Sequence, residues 1–125
     1  MRVLVVDDEP GIRSLLFQLL SRAGNTVDVA GDGTLALEMV ARGRYDALII
    51  DLKMPGISGE EVYRRLREMD RPLASRVIFI TGDTIANETR AFVKATGNPL
   101  IEKPFDLVEF RRQFQSLYNR EYGDL

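Results

Sequence analysis

Four apolar residues, Ala47-Leu48-Ile49-Ile50, run without a break into an aspartate, Asp51, and a Pro55-Gly56 turn follows. The run is too short for an ordinary helix and shows no alternation that would leave one face wet. It therefore predicts a strand buried on both faces, as in the interior of a parallel sheet. A carboxylate at the C-terminal end of such a strand falls in the crevice where open α/β sheets place their ligands.

The flanking chain supplies the partners that such a strand needs. Arg2 to Asp7 is a second apolar strand, ending on Asp7-Asp8-Glu9, and Pro10 with the acids before it marks a helix start. Ile12, Leu15, Leu16, Leu19 and Ala23 then recur at helical spacing up to Gly24. Thr26 to Ala30 alternates like a strand with one polar face, and a helix from Thr34 to Arg42 ends at Gly43. After the Asp51 strand, Ser58 caps a helix, with Glu61 completing a capping box, and that helix buries Val62, Leu66 and Met69 before Pro72. Arg76 to Thr81 is a fourth strand, followed by a helix from Thr84 to Ala95. Asn98 to Glu102 is a fifth strand, running into Lys103-Pro104-Phe105, and Asp106 caps a last helix through Tyr122. Five strands alternating with five helices predict a parallel sheet covered on both faces, with right-handed crossovers. At 125 residues there is room for one domain, 1–122, with a tail at 123–125.

Composition narrows the chemistry. The chain has neither cysteine nor histidine, which excludes disulfides, thiolate and imidazole metal sites, and histidine-based triads. Its net charge of −2 provides no footprint for direct nucleic-acid or anionic-membrane binding. No apolar run approaches the roughly 20 residues of a membrane span, and the first strand is too short for a signal peptide, so the expected location is the cytoplasm.

Four of the five strands end on or beside a reactive group: Asp7 and Asp8, Asp51, Thr81, and Lys103. Singly, each has a plain explanation as a cap, a turn former or a solvated lysine. In a doubly wound sheet, however, those ends share one edge. Carboxylates about 4 Å apart repel by roughly 4 kcal/mol at an effective dielectric near 20, so Asp7, Asp8 and Asp51 call for a cation between them. An all-oxygen ligand set suits a hard ion, Mg²⁺ (or Mn²⁺). A phosphoryl group could then approach Asp51 as nucleophile, with its charge met by the metal, the Lys103 ammonium and the Thr81 hydroxyl.

The motifs Val5-Val6-Asp7-Asp8-Glu9-Pro10, Ile50-Asp51-Leu52-Lys53-Met54-Pro55-Gly56, Ile80-Thr81-Gly82-Asp83 and Glu102-Lys103-Pro104-Phe105 resemble those of receiver domains of two-component response regulators over nearly the whole chain. The resemblance implies a flavodoxin-like sheet in order 2-1-3-4-5. It implies that Asp51 accepts a phosphoryl group from a phosphohistidine on a sensor histidine kinase or a histidine phosphotransfer protein. By position, Asp8, Asp51 and the Lys53 carbonyl would bind Mg²⁺ directly and Asp7 through water. Thr81 and Lys103 would hold the phosphoryl oxygens, and the Lys103-Pro104 bond would be cis. Such a chain is a signalling domain rather than an enzyme.

The chain departs from the family at Leu100, where an aromatic residue whose rotamer follows the threonine is usual. The Asn98 to Pro104 run looks most like receivers attached to hybrid histidine kinases, the alternative being a stand-alone regulator. Lys53 and Asp83, each two residues beyond a site residue, could pair across the site and slow the hydrolytic water, or simply face solvent. On the first helix Phe17 and Leu20 lie about 140° and 80° round from Ile12. With Arg13 they suggest a kinase-docking patch, although ordinary edge packing explains them nearly as well.

Three rival readings are weaker. Gly31-Asp32-Gly33-Thr34-Leu35-Ala36 matches a dinucleotide fingerprint but follows the wrong strand. An aspartate-nucleophile phosphatase usually carries Asp-x-Asp after its first strand, together with a cap insertion, and neither is present. A receiver-like interaction module that no longer accepts phosphate would not need the complete set of site residues.

Overall fold

The computed structural model describes residues 1–82, 85–104 and 106–122, excluding the side chains at 118 and 120–122. The calls on Asp83, on Thr84 as a helix start, on Phe105 and on the 123–125 tail lie outside the described residues. Strands β1 (Arg2–Val6), β2 (Thr26–Ala30), β3 (Ala47–Asp51), β4 (Val77–Thr81) and β5 (Leu100–Glu102) form one sheet in order β2-β1-β3-β4-β5. Every neighbouring pair is parallel, as the alternation of strands and helices predicts.

β3 is the middle strand, and all five of its residues are buried. Its side chains divide strictly between the two faces. Leu48 and Ile50 join Leu4, Val6, Val77 and Phe79 on one side, and Ala47 and Ile49 join Val3, Val5, Ile78 and Ile80 on the other. Burying an aliphatic side chain of this size contributes roughly 1.5–3 kcal/mol, so a one-residue register slip in β3 would exchange its two packed faces.

Helices α1 (Pro10–Arg22) and α6 (Leu107–Tyr122) cover one face. α2 (Gly33–Arg42), α3 (Gly59–Met69) and α5 (Asn87–Thr96) cover the other, with the single-turn helix α4 (Arg71–Ala74). The extra turn corrects the expectation of five helices. Asp70 accepts a bond from Leu73 N at 3.0 Å and Pro72 suits the first turn, so the residues read as a terminator nucleate a short helix instead. Met69, expected in the core, is 47% exposed. Ser58 does cap α3, accepting from Glu61 N at 3.2 Å, but the reciprocal half of the capping box is missing, since Glu61 Oε2 has no hydrogen-bond partner.

α1 is rotated relative to its expected core stripe. Leu16 and Leu20 are its buried residues and Leu15 is 41% exposed, so the i, i+4 row starting at Ile12 faces the sheet. Leu20 is therefore core and not a docking residue. β2, an edge strand, does not alternate as expected either, since Val29 is 38% exposed while Val27 and Ala30 are buried.

At the N-terminal ends of the strands, the charged groups are paired. Tyr45 Oη donates to Asp28 Oδ2 at 2.7 Å, and the Arg2 guanidinium lies 3.1 Å from the same oxygen and 4.8 Å from the centre of the Tyr45 ring. Burial and the Asp28 carboxylate push the Tyr45 phenol up to about 12, and the Tyr45 and Arg2 hydrogen bonds hold Asp28 below the ordinary carboxylate range. Asp46 is tied to Arg2 through both backbone and side chain, and Arg76 Nε donates to the Asp46 carbonyl.

One glycine fixes how α3 meets the central strand. A Cβ on Gly59 would collide with the Asp51 carbonyl oxygen and lie 2.8 Å from Leu52 Cα, while its own N–H donates to Leu52 O at 3.1 Å. Gly11, in the first turn of α1, has nothing within 4 Å of its added Cβ. Gly59→Ala is expected to cost roughly 2–4 kcal/mol of stability in chemical denaturation. Gly11→Ala should be neutral or stabilising by up to about 1 kcal/mol.

Candidate functional site

The parallel ladder carries the reactive residues to one edge. Asp51 pairs in register with Ile80, and Thr81 with Glu102, so β3, β4 and β5 end at nearly the same level. Two backbone bonds beyond the strands extend this alignment, from Leu52 N to Ile80 O at 2.9 Å and from Lys103 N to Thr81 O at 2.7 Å. On the other side Asp7 N bonds Ala30 O at 3.1 Å. Lys103-Pro104 is cis, as the resemblance implied.

Asp7, Asp8 and Asp51 offer carboxylate oxygens that all lie within 4.8 Å of one another. Asp7 and Asp51 use one oxygen each in the same way: Asp7 Oδ1 accepts from Glu9 N at 2.8 Å and Asp51 Oδ1 from Lys53 N at 3.1 Å. Each side chain thereby fixes the turn two residues on and aims its second oxygen into the site. The second oxygens meet Lys103, whose Nζ stands 3.0 Å from Asp7 Oδ2 and 3.1 Å from Asp51 Oδ2. Asp7 Oδ2 is buried without a hydrogen-bond partner, which leaves an anionic atom able to take a further ligand. Three oxygen ligands with one orphaned lone-pair site fit a hard divalent cation, with no sulfur or imidazole to favour a softer one.

Burial of the Asp51 carboxylate pushes it up to about 6, and the neighbouring Asp7 charge adds to the rise against the opposing Lys53 amide and Lys103 ammonium. For Lys103, burial alone would lower the ammonium, but Glu9, Asp7 and Asp51 together outweigh it and hold it above the ordinary lysine value.

Thr81 is buried at the end of β4, 1% exposed. A cleft of about 390 Å³ opens over Asp51 and Lys103, with Glu9, Ile12, Lys53 and Gly82 around it. Two of these were not singled out from sequence. Glu9 places Oε1 2.8 Å from Lys103 Nζ, the shortest of the three ammonium contacts. Its only sequence signal was its place beside the two aspartates. Gly82 lets the lysine stem pass, since an added Cβ would lie 3.3 Å from Lys103 Cδ.

The remaining expected residues are spread more widely. Lys53 is exposed beside the site, and its proposed partner Asp83 lies outside the described residues. Leu100 is half-buried, paired in register with Phe79 and packed against the same core as Phe92. Arg13 turns inward, donating to the Asp7 carbonyl at 2.8 Å. Phe17 is 44% exposed, and its shallow neighbour across the groove is Val29 rather than the buried Leu20.

The family model for the response regulator receiver domain matches residues 3–115. The response regulator MprA of Mycobacterium leprae is 39% identical over 124 residues, covering 99% of this chain and 54% of that protein. The transcriptional regulatory protein TcrA of Mycobacterium tuberculosis is 35% identical over 120 residues, covering 96% and 47%. The chain thus spans about half the length of the curated relatives it matches. The response regulator TrrA of Thermotoga maritima, in complex with Mg²⁺-BeF, superposes with a TM-score of 0.80 at 34% identity, covering 93% of this chain and 97% of that one. TrrA bound to the histidine kinase ThkA superposes at 0.79 with the same identity and coverage.

In metal-free buffer Asp51→Asn is expected to raise the Tm at pH 7–8. The folded carboxylate titrates near 6 against an ordinary value of 3.8, so its ionised form weighs against the folded state increasingly as pH rises through that interval. The increment should therefore shrink as the pH is lowered and disappear below the ordinary value. Thermal melts across that range check the sign.

Proposed function

The chain belongs to the response regulator receiver domain family, a phosphoacceptor signalling domain of two-component systems rather than an enzyme, and on that premise we propose that Asp51 is its acceptor. The observation that carries the assignment is the position of the Asp51 carboxylate, at the end of the central strand, within 4.8 Å of the acidic pair and 3.1 Å from Lys103 Nζ. In this reading an Asp51 oxygen attacks the phosphorus of a phosphohistidine on a sensor histidine kinase or a histidine phosphotransfer protein. The P–N bond breaks, its electron pair stays with the imidazole, and an aspartyl phosphate results.

Asp8 and Asp51, with the Lys53 carbonyl, would hold Mg²⁺ or Mn²⁺ directly, and Asp7 would hold it through water. When bound, the ion neutralises charge on the phosphoryl oxygens. Lys103 supplies an ammonium for one phosphoryl oxygen and Thr81 a hydroxyl for another, both fixed at strand ends by backbone bonds to neighbouring strands. TrrA supports both halves of this reading, as a relative of the same fold seen with Mg²⁺-BeF and with a histidine kinase. Phe17, beside Pro10 and Val29 near the acidic pair, would contribute to kinase docking, with Arg13 acting from behind through the Asp7 carbonyl.

MprA and TcrA support the receiver of a response regulator over one attached to a hybrid histidine kinase, despite the Asn98 to Pro104 run. No described helix is long and apolar enough to cross a membrane. A phosphohistidine donor of this kind supports the cytoplasm as the site of action.

Incubation with acetyl phosphate and Mg²⁺, followed by intact-mass and peptide analysis, tests the assignment. One phosphoryl group per chain, located on Asp51 and lost in Asp51→Asn, is the expected result. Sustained phosphate release would indicate a phosphatase, and no labelling a module that does not accept phosphate. Mg²⁺ should separately raise the Tm of the unphosphorylated protein, by about 1.4 kcal/mol of added stability at ten times its Kd. Asp8→Asn should remove most of that response.

A further inference from the structure

Lys103 has more carboxylates around it than its proposed task requires. Its ammonium contacts Glu9 Oε1 at 2.8 Å, Asp7 Oδ2 at 3.0 Å and Asp51 Oδ2 at 3.1 Å, and the lysine side chain is only 9% exposed. An ammonium offers three protons; two of them are donated to Glu9 Oε1 and Asp51 Oδ2, while Asp7 Oδ2 stands in ion-pair range without a hydrogen bond. A phosphoryl oxygen that is to reach this enclosed Nζ competes with the carboxylate oxygens already packed around it.

Burial distinguishes which one can leave. Asp7 and Asp51 are 0% and 4% exposed at the side chain, whereas Glu9 is 58% exposed at the mouth of the cleft. Withdrawing a buried carboxylate from its cation leaves a charge without compensation, while an exposed carboxylate can turn into water at small cost. Apart from its contact with Lys103, Glu9 is held in place through its backbone. Its N–H is taken by Asp7 Oδ1, and although it occupies the N-cap position of α1, its side chain makes no capping bond. The carboxylate reaches instead across to a residue 94 positions away in the chain.

We propose that Glu9 occupies the phosphoryl position on Lys103 in the resting protein and is exchanged for a phosphoryl oxygen when Asp51 is phosphorylated. Glu9 is a positioning residue that acts through Lys103, and it sets how readily the site admits an anionic donor. The inference rests on the assignment of Asp51 as acceptor. With acetyl phosphate, an Asp51 oxygen forms the new P–O bond and the bond from phosphorus to the acetyl oxygen breaks. Acetate leaves with that electron pair, no proton is transferred, and the Glu9 carboxylate moves from Nζ into solvent. The charge on Glu9 opposes this step twice, by competing for the ammonium and by repelling the incoming dianion.

Glu9→Gln keeps the shape and removes the charge. In the presence of Mg²⁺ and acetyl phosphate at low ionic strength, its Asp51 should be labelled roughly threefold to tenfold faster than in the wild type. The difference should narrow with added salt, and it should be smaller with phosphoramidate, whose phosphoryl group carries less negative charge at neutral pH. In metal-free protein, the Lys103 ammonium protons should exchange faster in the variant by NMR, with an unchanged amide spectrum in the strands confirming the fold. Equal labelling rates at every salt concentration, with wild type labelled at Asp51, would overturn the role of Glu9 and leave the acceptor assignment standing. A wild type that takes no label at Asp51 would overturn both.

Discussion

One ammonium stands among four carboxylates at the C-terminal edge of the sheet. Lys103 contacts Asp7, Asp51 and Glu9, and Asp8 completes the acidic cluster. This imbalance is the condition on which the remainder of the site rests. It keeps an Asp51 carboxylate, raised to about 6 by burial, within contact of its only direct cationic partner among the described residues. It also leaves negative charge that a divalent ion can satisfy, so charge supplied from outside completes what the polypeptide holds short of balance. The buried sheet makes this possible, because β1, β3 and β4, packed on both faces, hold their ends level while the charges at those ends repel.

The main chain order was readable because each apolar run is short, continuous and terminated by a chemically distinct residue. The sequence alone puts Asp7, Asp51, Thr81 and Lys103 on one edge, since parallel strands joined by right-handed crossovers share their polarity. Glu9 and Gly82 were not readable in the same way. Their importance depends on the path of the lysine stem as it returns from β5, a distance through space that no local spacing encodes. Gly59 was hidden for a similar reason, since a glycine in the first turn of a helix looks like a weak choice until the Asp51 carbonyl is found against it.

The misreadings lie where a periodic pattern had more than one acceptable phase. α1 carries apolar residues over a wide arc, and the packing partner, not the arc, selects which row faces inward. The Ile12, Leu16, Leu20 row won, which buried Leu20, exposed Leu15 and left Arg13 able to reach the Asp7 carbonyl. α4 shows the same limit at a boundary. Asp70 and Pro72 end one helix and begin another, and both residue types serve either purpose. At Leu100, the aromatic contacts run elsewhere: Phe79, Tyr63 and Phe92 meet edge to face, so β4, α3 and α5 are joined by rings beneath the position that is usually aromatic.

The paired charges at the opposite edge, where Arg2, Asp28, Tyr45, Asp46 and Arg76 satisfy one another, give the molecule a mechanical polarity. The starts of β1, β3 and β4 are tied there, with β2 held through Asp28, while the far ends of β1 and β3 run into the electrostatic load of the crowded carboxylates. A change in that load would therefore act on the strand tips and the loops beyond them, much as a row of cantilevers fixed in a common wall bends at its free ends. Under the proposed assignment, the anchorage would let a single charge added at Asp51 do its work over a short span of chain, with the far side of the domain as a fixed reference.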